Sequence, residues 1–123
     1  MSDRNAHTNR IAELNDEFRH HAGLALSRIK DVPGLCVMTS GVASLARETQ
    51  VEIFERVRRF SDFRPGNDPH REHDFGAFST ADGERVFWKI DYYADDAMEF
   101  GADDPADPNK SFRVLTIMLA AEY

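Results

Sequence analysis

The dipeptide Asp82-Gly83 places the strongest constraint on how this chain can fold. It separates two segments, 73–80 and 84–93, that are rich in aromatic and β-branched residues. Asp-Gly tolerates the left-handed backbone that tight hairpin turns need, so a strand-like segment on either side of it predicts a β-hairpin. This hairpin is the expected centre of the fold.

A two-residue turn at Asp82-Gly83 sets the register of the predicted hairpin. Ala81 then lies opposite Glu84, and counting outwards places Asp74 opposite Asp91. Side chains alternate between the two faces of a strand, so each face can be read from the sequence. The predicted core face holds His73, Phe75, Ala77, Val86, Trp88, Ile90 and Tyr92. The predicted second face holds Asp74, Gly76, Phe78, Phe87, Lys89, Asp91 and Tyr93, a mixture of charge and aromatic area.

Apolar residues at three- and four-residue spacing predict two amphipathic helices, over 8–21 and over 45–60. The first helix can also continue to residue 29, but Gly23 would then lie inside the longer helix and weaken it. This continuation is an open alternative. A short strand is expected over 35–39. Asp107-Pro108 combines a capping residue with the proline favoured at a first helical position, so a third, largely apolar helix is expected over 108–121.

The resulting order of elements is α-β-α-β-β-α. It predicts an α+β fold in which about three helices pack on one face of a small antiparallel sheet built around the hairpin. Nothing in the sequence suggests a linker or a repeat, so we expect one domain over residues 1–123.

The balance of 15 basic and 22 acidic side chains gives a formal net charge of −7. Binding to nucleic acid depends on Lys and Arg that neutralise phosphates, so direct nucleic-acid binding is disfavoured. The segment 91–107, called the acidic segment below, contains seven acids and no basic residue. A charge run of this kind is typical of a solvated surface, and it can also steer a charged partner.

Cys36 is the single cysteine of the chain, which excludes an intramolecular disulfide and favours a reducing compartment. The first ten residues are polar, and the longest apolar stretch, 114–121, is too short to span a bilayer. The expected location is therefore the cytoplasm, without membrane attachment.

Several longer strings resemble a bacterial family known as domain of unknown function 3768. They are Asn67-Asp68-Pro69-His70, Glu72-His73-Asp74-Phe75-Gly76, Phe87-Trp88-Lys89-Ile90-Asp91-Tyr92-Tyr93, Asp104-Pro105-Ala106-Asp107-Pro108 and Arg113-Val114-Leu115-Thr116-Ile117-Met118-Leu119-Ala120, with Leu14-Asn15-Asp16 and Thr39-Ser40-Gly41-Val42. The resemblance departs between His20 and Leu35, where the chain is longer than the family pattern. It implies a small protein encoded on plasmids and other mobile elements, and it implies no catalytic residue.

The predicted opposition of Asp74 and Asp91, with Lys89 one pair away, is the sharpest chemical feature. Like charges directly opposed on a sheet are destabilising unless something lies between them. The Lys89 ammonium, a divalent cation or solvent can each fill that place. Two carboxylates and a lysine are also components of metal-dependent phosphodiester hydrolysis, although the lysine here precedes the acid on its strand.

The candidate metal ligands are His70, His73, Asp74 and Asp91. Imidazoles three residues apart can converge on an ion, but on a strand they point to opposite faces, so hydrogen-bonded structural histidines are the simpler interpretation. No cofactor is expected, and a divalent metal stays an open alternative.

The sequence favours a non-enzymatic protein-binding module of a mobile element that inhibits a host defence or DNA-handling protein by occlusion. The candidate functional face is Asp74, Lys89, Asp91, Tyr93, Phe78 and Phe87, together with the acidic segment. The alternative is a metal-dependent phosphoesterase or nuclease that uses Asp74, Asp91 and Lys89 with His70 or His73. The oligomeric state stays open.

Overall fold

A four-stranded sheet is the frame of the protein in the computed structural model, which describes residues 3–23 and 32–123. The helices are α1 (Asp3–Arg19), α2 (Ser40–Ala43) and α3 (Arg47–Arg58). The strands are β1 (Gly34–Met38), β2 (Phe75–Ser79), β3 (Arg85–Tyr93) and β4 (Phe112–Leu119), and a 3₁₀ helix, Ala120–Glu122, follows the last strand. The α+β class is confirmed.

The strands lie in the order β1-β4-β3-β2. β2 pairs antiparallel with β3, and β3 pairs antiparallel with β4, but β1 runs parallel to β4. The sheet is therefore mixed, whereas the sequence had predicted an antiparallel one. The long connection through α2, α3 and the hairpin allows the parallel pairing of β1 with β4, since parallel neighbours need a crossover.

The first two predicted helices and the short strand are confirmed, with bounds that differ by a few residues. The predicted helix over 8–21 is α1, the helix over 45–60 is α3, and the strand over 35–39 is β1. The alternative continuation to residue 29 falls on 24–31, outside the described residues.

The helices pack on one face of the sheet, which we call the covered face. It is formed by Val86, Trp88 and Ile90 from β3 and Leu115 and Ile117 from β4. The helical side chains packed against them are Leu14, Phe18, Val42, Ile53 and Val57. All ten are buried, so removing this apolar surface from water is the main contribution to the stability of the fold.

The predicted helix over 108–121 is wrong, because most of this segment forms β4. β4 is a central strand bonded to β1 and β3, and it is buried on both faces. A short run that is apolar on all sides has the same pattern in a buried strand and in a buried helix, and sheet pairing decides between them. Asp107 caps a turn: its side chain accepts from the N–H of Asn109 at 2.9 Å, and its carbonyl accepts from Lys110 at 3.0 Å.

The predicted hairpin exists, but its register is displaced by one residue. The loop has three residues, 81–83, because Thr80 pairs with Glu84 through its N–H at 2.9 Å, and Gly83 adopts a φ of +92°. A glycine in this conformation at the end of a three-residue hairpin loop forms a bulge. A shift of one residue moves every side chain of β2 to the other face.

This shift corrects the predicted faces. Gly76 and Phe78 lie on the covered face, and Phe75 and Ala77 lie on the opposite one, opposite Lys89 and Phe87. Asp74 adjoins Ile90, whose N–H donates to the Asp74 carbonyl at 2.9 Å, and is not opposite Asp91. Gly76 pairs with Trp88, and a Cβ at position 76 would overlap the indole ring. The shift leaves the predicted faces of β3 unchanged, and Val86, Trp88 and Ile90 lie on the covered face as predicted.

Candidate functional site

A buried polar network joins α1 to β3 and β4. Arg113 and Asn15 are completely buried. Arg113 Nε donates to Asn15 Oδ1 at 2.6 Å, and Asn15 Nδ2 donates to the Tyr92 hydroxyl and to the Glu72 carbonyl, both at 2.8 Å. The Tyr92 hydroxyl in turn donates to Glu72 Oε1 at 2.8 Å.

Burial changes the acid–base properties of this network. Desolvation lowers the pKa of Arg113 and raises the pKa of Tyr92 well above its usual range. Tyr92 is therefore neutral, whereas the Arg113 guanidinium is satisfied by oxygen acceptors on Asn15, Ser111 and Pro105. The network holds the segment before β2 against α1.

A second buried arginine, Arg19, lies one turn along α1 from Asn15. Its Nη1 donates to the Val57 carbonyl at 2.7 Å, and its Nη2 donates to Asp16 Oδ1 at 2.9 Å. The guanidinium carbon lies 5.1 Å from the Trp88 ring centroid, a distance at which a cation and an aromatic face attract. Arg19 therefore fixes the carboxylate of Asp16 at the surface of the helix.

Asp16 and His73 form a dyad between α1 and the loop before β2. Nδ1 of His73 lies 3.0 Å from both carboxylate oxygens of Asp16, and the imidazole stacks on Phe63 with ring centroids 3.8 Å apart. Nε2 lies 3.7 Å from Oδ2 of the buried Asp68. The side chains of His73 and Asp16 remain 28% and 32% exposed, so the dyad is reachable from solvent.

The dyad lines a groove of about 580 Å³, which we call the helix-side groove. It lies between α1 and the loop, and its lining includes Asp16, Phe63, Asp68, Arg71 and His73. A histidine whose Nδ1 is oriented by a carboxylate leaves Nε2 to exchange a proton with a ligand or a water molecule. This arrangement is therefore competent for acid–base chemistry.

Two non-glycine residues of this groove adopt the left-handed backbone conformation. The φ angles are +59° at Arg71 and +56° at His73. Each such residue costs about 1 kcal/mol or more, so surrounding contacts must hold the conformation. The contacts here are the Asp68 carboxylate, which accepts from the His73 N–H at 3.2 Å, and Asn15, which binds the Glu72 carbonyl.

The sequence-predicted residues Asp74, Lys89, Asp91 and His70 line a different cavity, called the hairpin-side pocket, of about 480 Å³. Lys89 Nζ lies 3.0 Å from Asp91 Oδ2 on the same strand, which is the expected pairing of Lys89 with a carboxylate. Burial, followed by the charge of Glu72, raises the pKa of Asp74. The structure thus brings the candidate residues to one pocket although their predicted register is wrong.

The four candidate metal ligands do not form one cluster. In residues 3–23 and 32–123, no group of three or more His, Cys, Asp or Glu side chains is placed to hold a metal ion. His73 is bound to Asp16 on the groove side, whereas His70 lines the hairpin-side pocket. The two histidines diverge because Arg71 and His73, on either side of Glu72, are both left-handed, and the segment is not a regular strand.

The sheet face opposite the helices, called the open face, carries the other candidate residues. Phe75, Phe87 and Tyr123 form an edge-to-face cluster with centroid distances of 5.4 to 6.0 Å. Phe87, Lys89, Asp91 and Tyr93 lie on this face and are half-buried. Phe78 does not belong to it, because the register shift buries Phe78 on the covered face beneath Arg56.

The acidic segment begins in the last residues of β3 and continues as a loop that is closed between residues 93 and 101. Tyr93 bridges Gly101, and the Ala94 N–H donates to the Phe100 carbonyl at 2.8 Å. Phe100 is 74% exposed and Met98 is 42% exposed. Among the described residues, the ion pairs of the acidic segment are Lys89 with Asp91 and His7 with Asp104.

The sequence reasoning missed Asp16, Arg19, Asp68 and Arg113 as members of a site. One signal was present: Asn15 and Arg19 follow Ile11 at four-residue spacing, so polar residues fall on the buried stripe of α1. Arg113 similarly interrupts an apolar run. A charged residue on a buried face must find partners, which makes it a candidate member of a network.

The fold and these sites define a small α+β protein whose described helices lie on one sheet face and whose helix-side groove and hairpin-side pocket are open to solvent. The sequence matches the family described as "Protein of unknown function (DUF3768)" over residues 38–122, about two-thirds of the chain. The chain belongs to this family, which confirms the resemblance. The match begins at the end of β1, so Asn15, Asp16 and Arg19 lie outside it.

The chain matches no curated protein and no solved structure. In the part of the chain that the structure describes, no helix is both long and apolar enough to cross a membrane.

Proposed function

We propose that this protein is a cytoplasmic protein-binding module that presents its open face and acidic segment to a basic protein surface. One observation carries the proposal: the described helices pack on the covered face, whereas the open face has a partly exposed aromatic cluster, of which Phe75 and Tyr123 line the same pocket as Asp91 of the acidic segment. Aromatic side chains anchor protein interfaces because they bury a large area at a small cost in conformational entropy.

Phe100 and Met98 supply apolar anchors outside the sheet. Both side chains are exposed on a loop whose ends are hydrogen-bonded together, and the exposed acids Asp95, Asp96 and Glu99 lie on the same loop. Apolar anchors on an acidic loop suit a partner with an apolar pocket in a basic surface, and the charges accelerate the encounter. Basic surfaces of this kind are typical of proteins that handle DNA.

The biological role that follows is inhibition by occlusion. A protein that covers the basic surface of a DNA-handling protein competes with DNA for it. The setting of bacterial mobile elements comes from the resemblance described above, and the proposal places the inhibited protein among host defence or DNA-handling functions.

The test is affinity capture followed by measurement on the purified pair. Tagged protein is compared with Phe100→Ala and with an Asp95→Asn/Asp96→Asn/Glu99→Gln triple variant. The controls are Val51→Ala, an exposed apolar residue on α3, and Glu17→Gln/Glu48→Gln/Glu55→Gln, exposed acids elsewhere. We expect one basic protein to be retained by the wild type and both controls, and Kd to rise about tenfold or more in Phe100→Ala.

Two results would contradict this function. One is retention that is equal in all five forms, and the other is a captured protein whose affinity for the purified chain does not fall as salt rises. A charge-steered interface must weaken with ionic strength because exposed charges are screened.

The alternative of a metal-dependent phosphoesterase or nuclease keeps one supporting observation, the shared lining of the hairpin-side pocket by Asp74, Lys89 and Asp91. Calorimetric titration of chelator-treated protein with Mg²⁺, Mn²⁺ and Zn²⁺ decides it, with Asp74→Asn/Asp91→Asn as the control. Binding tighter than roughly 100 μM that disappears in the variant would support a metal site. Equal heats in both forms would remove the alternative.

A further inference from the structure

The helix-side groove lies apart from the surface proposed for protein binding. Its volume of about 580 Å³ is in the range of pockets that take small molecules. Its apolar lining includes Ala12 and Pro65, and its polar lining includes His73 and Arg71. The groove thus has the size and the mixed lining of a small-molecule site.

His73 is held rigidly, with one ring nitrogen left for a ligand. The stack on Phe63 fixes the plane of the imidazole, and Asp16, itself held by Arg19, fixes Nδ1. Within the described residues no hydrogen bond reaches Nε2, and the nearest ion-pair oxygen, on Asp68, is 3.7 Å away. Nε2 is therefore the atom of this side chain that can form a hydrogen bond to a ligand.

The charged side chains around the groove indicate whether the ligand is an anion or a cation. Asp16 is paired with Arg19 and His73, Asp68 faces His73, and Glu13 is paired with Arg10. Arg64 is paired with Asp62. Arg71 is exposed and has no carboxylate within 4 Å in the described part of the chain. The basic side chain of the groove that has no carboxylate partner among the described residues is therefore a guanidinium, and a guanidinium favours an anion.

The backbone holds Arg71 and His73 in place at a cost. Both adopt φ values near +60°, and the Arg71 N–H donates to the Asp68 carbonyl at 3.1 Å. A structural contact between His73 and Asp16 alone would not require Arg71 to be left-handed. Strain that is retained at two residues lining one groove is typical of a functional loop.

We propose that the helix-side groove binds a small molecule through a phosphate group, with the Arg71 guanidinium and Nε2 of His73 as hydrogen-bond donors. A guanidinium donates through two parallel N–H groups and an imidazole N–H provides a third donor, so together they match the three terminal oxygens of a phosphate ester. Asp16 is a positioning residue, because it acts on the ligand through His73.

The test is an NMR titration of the full chain with inorganic phosphate up to about 20 mM at constant ionic strength, since a fragment-sized ligand binds in the millimolar range. The imidazole signals of His73 and the backbone signals of residues 68–73 are followed. We expect these signals to shift and saturate, whereas the imidazole signals of His7 and His70, whose side chains do not line the groove, stay constant.

Asparagine is substituted at positions 71 and 73 because it tolerates the left-handed backbone there. A loss of binding can then be assigned to the missing side chain and not to a changed backbone. Arg71→Asn and His73→Asn should each weaken phosphate binding about tenfold or more, as expected for the loss of a charge-assisted hydrogen bond. Matched controls are Arg59→Gln, an exposed arginine directly after α3, and His70→Asn. If His73→Asn fails to fold, Arg71→Asn decides alone.

Three results would overturn the proposal. They are saturable shifts at residues outside the groove only, equal phosphate affinity in the wild type and Arg71→Asn, and the absence of any saturable shift. An acetate titration forms the second arm, because a carboxylate is the other anion that a guanidinium recognises. Acetate binding at the groove that is as tight as phosphate binding would replace the phosphate assignment.

Discussion

Arg113 and Lys89 lie on opposite faces of the same sheet and differ in almost every other respect. Arg113 is completely buried on the covered face and donates to three oxygen acceptors, on Asn15, Ser111 and Pro105. The Lys89 side chain is 42% exposed on the open face and contacts Asp91. The buried cation on the covered face is therefore part of the structure, whereas the cation on the open face is accessible to solvent.

The largest effect that tests this comparison is expected for Arg113→Met. Removing the guanidinium leaves buried acceptors on Asn15 and Pro105 without donors, so the free energy of unfolding should fall by about 3–5 kcal/mol. The matched substitution Lys89→Met should change it by less than about 1 kcal/mol, because exposed ion pairs contribute little. Urea denaturation measures both, and equal losses would contradict the distinction between the faces.

The next largest effect should come from Gly76→Ala on the covered face. Alanine normally suits a strand better than glycine, but a Cβ here would overlap the Trp88 indole in a packed core. Such overpacking costs about 1–3 kcal/mol. Ala77→Ser on the open face is the control, with an expected change below about 0.5 kcal/mol. A Gly76→Ala variant as stable as the wild type would show that the two faces tolerate added volume equally.

A smaller, pH-dependent effect is expected at Glu122, which anchors the segment that carries Tyr123 onto the open face. Its carboxylate accepts from Thr39 Oγ1 at 2.6 Å and from the backbone N–H groups of Leu119 and Gly41. These bonds, chiefly that of Thr39, hold the pKa of Glu122 below its ordinary value of 4.5. The stability they contribute is present above pH 4.5 and is lost as the pH falls through the lowered pKa.

Thermal unfolding of Glu122→Gln across this pH range measures the effect. The variant should be less stable than the wild type at neutral pH, and the difference should shrink in acid. Glu99→Gln, an exposed glutamate in the acidic segment, is the control and should follow the wild type. A constant difference at all pH values would mean that the anchor does not depend on the charge of Glu122.

The smallest effect, with the opposite sign, is expected for Asp74→Asn. Burial raises the pKa of Asp74 above its ordinary value of 3.8, so its charged form costs stability at neutral pH. The stability linked to its proton is present below pH 3.8 and is lost as the pH rises through the raised pKa. Asp74→Asn should thus stabilise the protein by less than about 1 kcal/mol at pH 7, where solvent screens the partly exposed group.

The gain in Asp74→Asn should vanish in acid, which denaturation at two pH values can measure. Asp91→Asn, which removes a carboxylate paired with Lys89, is the control and should bring no gain. Destabilisation by Asp74→Asn at neutral pH would show that this carboxylate is held by favourable contacts.

Most of the elements were predictable because their signals are local. The apolar stripe of α1 and α3 has the period of a helix, and Asp82-Gly83 demands a turn. The candidate site was only partly predictable. Lys89 and Asp91 are two residues apart on one strand, so they share a face in any register, whereas Asp16 and His73 are 57 residues apart and nothing local joins them.

Sequence alone therefore determined the helices α1 and α3, the hairpin, the acidic charge and the family resemblance, because each depends on neighbours along the chain. Tertiary structure decided the rest. The apolar segment of β4 also fits a helix, and pairing with β1 and β3 made it a strand. One extra residue in the hairpin loop moved the side chains of β2 to the opposite faces. Packing of α1 against the loop before β2 created the helix-side groove, because contacts between distant residues form only when the chain has folded.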